Sequence, residues 1–144
     1  MSDGQRDECV VVRPDAQYVG KQGLTYFAGA SAETAGTQNN CMHLLTIPPG
    51  GRAKAHYHEH HESVVYLLKG EVDFWFGPGL TEHRHMSTGD FVYIPPGVPH
   101  LPVNFEPENA AEAIISRTDP NEQESVVTLP DLDSLPHVQA RPTR

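Results

Sequence analysis

Short apolar runs separated by Gly, Pro and Asn dominate the pattern of hydrophobic and polar positions along the chain. No stretch places apolar residues every three or four positions, as an amphipathic helix requires, and several runs are rich in β-branched and aromatic residues. The pattern therefore predicts an all-β domain, and many short strands are typical of a sandwich or barrel. The predicted strands are Cys9–Val12, Leu24–Ala28, Cys41–Ile47, Ala53–His58, Ser63–Lys69, Glu71–Phe76, Phe91–Ile94, Pro99–Phe105, Ala111–Arg117 and Val126–Leu129.

The domain organisation follows from length and from the turn residues. A chain of 144 residues is of ordinary size for one domain, and we assign residues 1–129 to a single domain that includes an N-terminal strand. Residues 29–40 are small and polar and predict a loop. The proline-rich residues 130–144 predict a C-terminal arm, either extended over the body or a partner subunit, or disordered.

Charge and cysteine content narrow the classes of partner and compartment. The 10 Lys and Arg residues against 19 Asp and Glu residues give a net charge of −9, which argues against nucleic acid or an anionic membrane as the main partner. A neutral or cationic ligand, or a protein, fits this charge better. Cys9 and Cys41 have no Cys-x-x-Cys partner and predict reduced thiols. No apolar run approaches the ~20 residues of a membrane span, so we expect a soluble, cytoplasmic protein.

Histidines supply the strongest chemical signal. Residues 56–61 contain four of the nine histidines, and His100 follows a second proline-glycine turn. Neutral imidazole binds zinc, copper, iron and nickel, and the pair His56 and His58 would send both rings to one face of a strand. The alternatives are solvated histidines or a purification tag. Because the cluster is internal and interrupted by Tyr57 and Glu59, a metal site is favoured.

Two similar turns precede these histidines. Residues 47–50 and 94–97 both read Ile-Pro-Pro-Gly. Because proline fixes φ and lacks an N–H, each copy ends strand pairing and turns the chain. Such a turn can deliver the next histidine to a reproducible position, although two unrelated turns would give the same pattern.

These residues resemble the two motifs of the cupin superfamily. The second motif, Gly-x5-Pro-x-Gly-x2-His-x3-Asn, is matched at every position, and the first, Gly-x5-His-x-His-x3-4-Glu-x6-Gly, lacks only its glutamate. The matching residues are Gly89, Pro95, Gly97, His100 and Asn104 in the second motif and Gly50, His56, His58 and Gly70 in the first. The resemblance implies the cupin fold, a double-stranded β-helix or jelly-roll barrel. Counting back from Gly70, the glutamate position holds Ser63.

The missing glutamate leaves the fourth metal ligand open. Glu62 is one residue out of register, and a one-residue slip moves a strand side chain to the opposite face. His61 shares strand parity with position 63, so we predict the metal ligands His56, His58, His61 and His100. In the rival arrangement Glu62 replaces His61 by means of a bulge. His60 has the wrong parity and is predicted at the rim.

The ligand set bears on the chemistry. Four neutral imidazoles leave the charge of a divalent ion uncompensated, so the ion is a strong Lewis acid that suits ketone polarisation. We expect one divalent ion per chain, zinc first, with nickel, cobalt or iron as alternatives. Together with the length, the His-x-His-x2-His-Glu pattern resembles the single-cupin cyclases of aromatic polyketides, of the resistomycin and tetracenomycin type. That resemblance implies intramolecular aldol condensation and aromatisation of a poly-β-ketone in antibiotic biosynthesis.

The remaining expectations concern the base, the competing functions and the assembly. Asp73 and His43 are the candidate catalytic residues for proton transfer, whereas His83 and His85 predict a solvated hairpin. The alternative functions are a metal-dependent cupin dioxygenase and a non-enzymatic small-molecule-binding cupin. The expected partners are a polyketide, free or bound to a carrier protein, and a second copy of the chain in a homodimer.

Overall fold

Two antiparallel sheets make up the body of the protein. The computed structural model describes residues 8–13, 17–121 and 125–143. The strands are β1 (Gln17–Val19), β2 (Thr25–Ala30), β3 (Cys41–Ile47), β4 (His56–His58), β5 (Ser63–Lys69), β6 (Glu71–Phe76), β7 (Glu82–Ser87), β8 (Phe91–Ile94), β9 (His100–Val103), β10 (Ala111–Arg117) and β11 (Val126–Thr128). The helices are α1 (Ala32–Ala35) and α2 (Pro130–Asp133), with 3₁₀ turns at Pro78–Leu80 and Pro136–Val138. The predicted all-β fold class is confirmed.

The order of the strands sets the position of the core. One sheet has the order β1-β2-β3-β10-β5-β8 and the other β11-β4-β9-β6-β7. Strand β10 lies between β3 and β5, and its buried side chains alternate with more exposed ones, as expected for a strand with one face on a core. Strands β7 and β8 each lie at one edge of a sheet. The closed core between the sheets is the jelly-roll arrangement that the sequence predicted.

Two local predictions were wrong. Residues 9–12 form no strand, and Val11 is 76% exposed, so this apolar run has no sheet face to pack on. Within the predicted loop 29–40, the segment Ala32–Ala35 forms a helical turn that is capped by Ser31. The hairpin predicted around His83 is present and is formed by β6 and β7, which pair along their length.

The C-terminal arm folds onto the body rather than running as an extended strand. Val138 is fully buried, and Arg52 Nη1 donates to its carbonyl oxygen at 2.9 Å. His137 Nε2 donates to the Leu80 carbonyl at 2.8 Å, and the Asp133 carboxylate accepts from the backbone N–H of Ala55. These contacts anchor residues 130–138 next to the strand that carries the first histidines. Within the described ranges, no helix is long and apolar enough to cross a membrane.

Candidate metal site

Three of the predicted ligands come together on two neighbouring strands. His56 and His58 lie on β4 with Tyr57 between them, and β4 pairs with β9 so that His56 lies opposite His100. All three side chains are buried. One ligand nitrogen from each lies within 4.8 Å of those of the other two. The His-x-His spacing and the strand pairing therefore converge three imidazoles on one point.

The two proline-glycine turns contribute to this convergence. The backbone N–H of Gly97 donates to the His58 carbonyl at 2.7 Å, which ties the turn before β9 to the end of β4. Gly97 has φ +78° and Gly50 has φ +70°, a conformation that L-residues other than glycine rarely adopt. The repeated Pro-Pro-Gly sequence thus supplies turns that fix where β4 and β9 begin.

Backbone hydrogen bonds orient two of the rings. His56 Nδ1 lies 2.6 Å from the Lys54 carbonyl oxygen, and His100 Nδ1 lies 3.0 Å from the Val98 carbonyl oxygen. A carbonyl only accepts hydrogen bonds, so Nδ1 carries the proton in both rings and Nε2 keeps its lone pair. This is the second-sphere arrangement that holds metal-binding histidines in place.

Burial keeps the three imidazoles neutral. The pKa of His100 is lowered to about 4, chiefly by burial and to a smaller extent by the nearby Arg117 guanidinium, against a raising effect of the Val98 carbonyl. Burial is also the largest cause of the lowered pKa values of His56 and His58. Since a metal binds the deprotonated ring, these buried, oriented nitrogens fit a divalent transition metal such as zinc.

His61 lies beside this cluster but is not part of it. Strand β5 begins at Ser63, so the strand does not extend back to His61 and the period-2 argument does not apply there. The His61 ring is buried with its centroid 4.6 Å from that of His58. Its Nδ1 lies 3.0 Å from Ser125 Oγ. The structure thus gathers a three-histidine group with a fourth imidazole in contact with one member at a tilted angle.

Glu62 and Ser63 occupy opposite environments. The Glu62 carboxylate accepts a hydrogen bond from the Tyr93 hydroxyl at 2.8 Å at an exposed position. Ser63 is buried and lines the same cavity as His56, His58 and His100. The position that holds the glutamate in the family motif therefore carries a small hydroxyl here, and the adjacent Glu62 carboxylate binds Tyr93 instead.

Neither candidate base lines that cavity. Asp73 is buried and accepts hydrogen bonds from His83 Nε2 at 2.9 Å and His85 Nδ1 at 3.2 Å. Its neighbours Val72 and Phe74 line the cavity, so by strand alternation Asp73 faces the other side of the sheet.

His43 also lies outside the cavity lining. It is 1% exposed and packs edge-on against the Tyr26 ring at 5.0 Å. Burial first, and Arg117 second, lower its pKa to about 3. His43 is therefore neutral and a weak base.

Two spaces adjoin the histidines. An inner cavity of ≈ 60 Å³ lies between the sheets and is walled by apolar side chains together with the three histidines, Tyr26, Ser63 and Arg117. An outer cleft of ≈ 500 Å³ lies between the edge strands β7 and β8. Phe74 and His100 line both spaces. The cleft is thus the larger of these two spaces, and it reaches His100.

Sequence reasoning missed Arg117. Its side chain is 3% exposed and lines the inner cavity, and it lowers the pKa values of all five buried histidines near the site, namely His43, His56, His58, His61 and His100. Strand parity could have identified it as an inward-facing residue. Ala111, Ala113 and Ile115 are apolar at alternate positions of β10, and Arg117 continues that series.

Comparisons with known proteins agree with this architecture. The family described as "Cupin domain" matches residues 43–116, and a comparison with curated proteins gave no significant match. A double-stranded β-helix protein from Klebsiella pneumoniae superposes with a TM-score of 0.56 at 21% identity, covering 64% of this chain and 76% of its own.

Two larger metal-enzyme structures are also similar. The Bacillus subtilis oxalate decarboxylase structure, whose description names Mn(II) centres, has a TM-score of 0.66 at 18% identity, with 80% of this chain and 30% of that chain covered. An oxalate oxidase bound to glycolate has a TM-score of 0.65 at 19% identity, covering 90% and 65%. The chain thus spans about a third of the length of the oxalate decarboxylase. At these identities the likeness concerns the fold.

Proposed function

The chain belongs to the cupin family, and from that premise we propose that it is a metal-dependent polyketide cyclase that closes a ring by intramolecular aldol condensation of a poly-β-ketone. The observation that carries the proposal is the composition of the site. Three buried, neutral imidazoles converge, and the glutamate position of the family motif is Ser63. No carboxylate among the described residues lines the inner cavity.

The histidines His56, His58 and His100 would hold the ion, with His61 next to His58 as the candidate fourth ligand. A divalent ion bound there, zinc in this proposal, would act as a Lewis acid toward a ketone oxygen. Three imidazoles without a carboxylate, the set that the described residues offer, would leave the charge of such an ion uncompensated, which strengthens that role. It also separates this ligand set from the two-histidine, one-carboxylate set typical of non-haem iron oxygenases.

The protein surroundings suit an elongated, mostly uncharged chain. The outer cleft is lined by Phe74, Phe76, Phe91 and Tyr93, and aromatic side chains offer large, flat apolar surfaces for a polyketone. Tyr26 lines the inner cavity, and burial raises the pKa of its phenol. Tyr26 therefore keeps its proton and can donate a hydrogen bond to a ligand oxygen.

A second copy of the chain is the proposed partner. The residues Met42, Val64 and Leu68 are 42–49% exposed, and strand pairing places them on the outer face of the six-stranded sheet. An exposed apolar face of this kind is typical of a subunit interface. The molar mass in solution tests the homodimer directly.

The metal site is tested by elemental analysis of untagged protein and of variants. We expect near-stoichiometric zinc in the wild type, loss of the metal in His58→Ala, and a retained but weaker site in His61→Ala because His61 lies outside the three-histidine group. His60→Ala is the matched control, since the His60 side chain is 77% exposed. Retention of zinc in His58→Ala would refute the ligand assignment.

The reaction is tested with zinc-loaded protein and a synthetic aryl poly-β-ketone. Ring closure is monitored by mass spectrometry, as the loss of water, and by the absorbance of the aromatic product. We expect cyclisation by the wild type and by His60→Ala but not by His58→Ala. Oxygen uptake is recorded in parallel. Bound iron with oxygen consumption and no ring closure would replace the cyclase with the dioxygenase alternative, and ligand binding without turnover would favour the binding protein.

A further inference from the structure

We propose that the inner cavity holds an anion subsite at Arg117, and that the substrate carries a free carboxylate which binds there. The substrate of the proposed cyclase is then a poly-β-keto acid rather than a thioester on a carrier protein. The second statement rests on the proposed function, whereas the anion subsite stands on the geometry of the cavity alone.

Arg117 is built into the cavity wall. It is the last residue of β10 and lies opposite Ser63 on β5 and Cys41 on β3. All three side chains are buried. Arg117 also hydrogen-bonds to the Tyr26 hydroxyl, which fixes the guanidinium in a defined place. A planar guanidinium held in this way matches the two oxygens of a carboxylate.

The charge around this guanidinium favours an anion. The charge of Arg117 lowers the pKa of His58, where it is the largest effect of any charged group, and it also lowers the pKa of His100. The described residues that line the cavity include no Asp or Glu. A divalent ion at the histidines would add positive charge to the same space. A ligand carboxylate that entered the cavity would be attracted by both positive charges.

An unsatisfied polar atom lies beside the same position. Ser63 Oγ is buried and makes no hydrogen bond within the described part of the chain. Buried polar groups in folded proteins nearly always have a partner, so this free hydroxyl is suited to a bound molecule. Ser63 lines the cavity next to Arg117 and can donate to a carboxylate oxygen.

The sizes of the two spaces indicate which end of the ligand would lie in each. The inner cavity of ≈ 60 Å³ admits only a small group, whereas the outer cleft of ≈ 500 Å³ has room for a longer chain. With the carboxylate inside at Arg117, the neighbouring ketone would lie close to His100, which lines both spaces. The rest of the chain would extend along the aromatic cleft. Arg117 is then a positioning residue that sets which ketone reaches the metal.

The test uses two probes that differ only in charge. Acetoacetate and methyl acetoacetate share the β-ketone, and only the first is an anion at neutral pH. Binding is followed by chemical-shift titration of isotope-labelled protein, both zinc-loaded and metal-free. We expect acetoacetate to bind at least tenfold more tightly than the ester in both forms, because the subsite does not need the metal.

Variants of Arg117 test whether its charge causes the preference for acetoacetate. Arg117→Met is expected to remove the preference for acetoacetate, and Arg117→Lys to reduce it about tenfold while keeping the buried charge. Arg84→Met is the matched control, since Arg84 is exposed and lines the outer cleft, and it should bind both probes as the wild type does. If Arg117→Met does not fold, the reduction in Arg117→Lys decides.

Three outcomes would overturn the anion subsite. The first is equal binding of acid and ester by the wild type. The second is a preference for the acid that survives in Arg117→Met or disappears from metal-free wild type, since the carboxylate would then bind the metal. The third is loss of the preference in Arg84→Met alone, which would place the anion in the outer cleft. A preserved acid preference without ring closure would refute the cyclase and leave the subsite standing.

Discussion

At the scale of single residues, Ser63 has the largest consequence for the chemistry. It lies in the cavity wall, opposite Arg117 and close to the three histidines. Ser63→Glu restores the glutamate of the family motif, and a carboxylate there would both bind the ion and neutralise Arg117. We expect zinc affinity to rise at least tenfold, measured by competition with a chelator, and acetoacetate affinity to fall at least tenfold.

The control for this change is Ser116→Glu. Ser116 follows the opposite parity on β10 and pairs with Val64 and Met42 on the outer face of the sheet. The Ser116→Glu substitution adds the same charge on an adjacent strand, and its side chain does not enter the cavity. If Ser63→Glu leaves both affinities as they are in the wild type, Ser63 does not lie at the metal and the Lewis-acid argument loses its basis.

Asn104, in contrast, has a structural role at the residue scale. It is fully buried, and its side-chain amide donates to the carbonyl oxygens of Ile47, Pro48 and Asn109 while its oxygen accepts from the Glu106 N–H. Asn104→Ala leaves these groups unsatisfied, so we expect the free energy of unfolding to fall by roughly 2–4 kcal/mol in urea titrations.

The exposed Asn40→Ala should change the free energy of unfolding by less than about 0.5 kcal/mol. Equal stability of the two variants would mean that the Asn104 hydrogen bonds are replaced by water. In that event the last residue of the second motif would have no structural role.

Residue-level prediction from sequence succeeded where strand parity applied and failed where it did not. His56, His58 and His100 lie on strands, and their convergence follows from period-2 alternation and the pairing of β4 with β9. His61 precedes β5, so parity could not place it. Arg117 obeys parity, but a charged residue at a strand end is usually solvated, and only the cavity shows that this one is buried.

At the scale of elements, the C-terminal arm is the segment whose packing most invites a test. Val138 is fully buried among residues of the core. Val138→Ala removes two buried methyl groups, so we expect the free energy of unfolding to fall by about 2 kcal/mol. Val11→Ala, at a side chain 76% exposed, is the control and should be neutral. No difference between the two variants would indicate that the arm detaches in solution.

The elements themselves were predictable in proportion to their apolar content. Strands β3, β5, β6, β8 and β10 were predicted with their observed bounds, because each has one apolar face on the core. Strand β7 was missed because Glu82, His83, Arg84 and His85 give no apolar alternation. Its polar side chains are accommodated by Asp73 and Glu71 on the paired strand, a cross-strand interaction that the local sequence does not reveal.

At the scale of the whole molecule, the net charge of the chain differs in sign from the charge that lines the inner cavity. The value of −9 suggested a neutral or cationic ligand, whereas the cavity wall combines a buried arginine with neutral histidines and contains no acid among the described residues. Net charge governs solubility and long-range attraction. The field inside a small cavity is set by the few groups that line it, and only the fold identifies these.

The buried histidines also make the stability of the metal-free protein depend on pH. The pKa of His100 is about 4 and that of His43 about 3 in the folded state, both lowered chiefly by burial, against about 6.5 in the unfolded chain. Below pH about 6.5 the unfolded state therefore binds more protons than the folded state. The stabilisation is complete above that pH and is lost as the pH falls toward the folded pKa values, by about 1.4 kcal/mol per pH unit for each such histidine.

Urea titrations of the metal-free protein between pH 7.5 and about 5, above the range where most carboxylates titrate, measure this slope. His43→Leu removes one buried histidine and should lower the slope by about one proton, whereas His60→Leu, at a side chain 77% exposed, should leave it unchanged. Zinc binds only the deprotonated rings, so adding zinc should extend full stability to lower pH in the wild type but not in His58→Ala. A stability that does not change with pH in the metal-free protein would show that these rings are hydrated in solution.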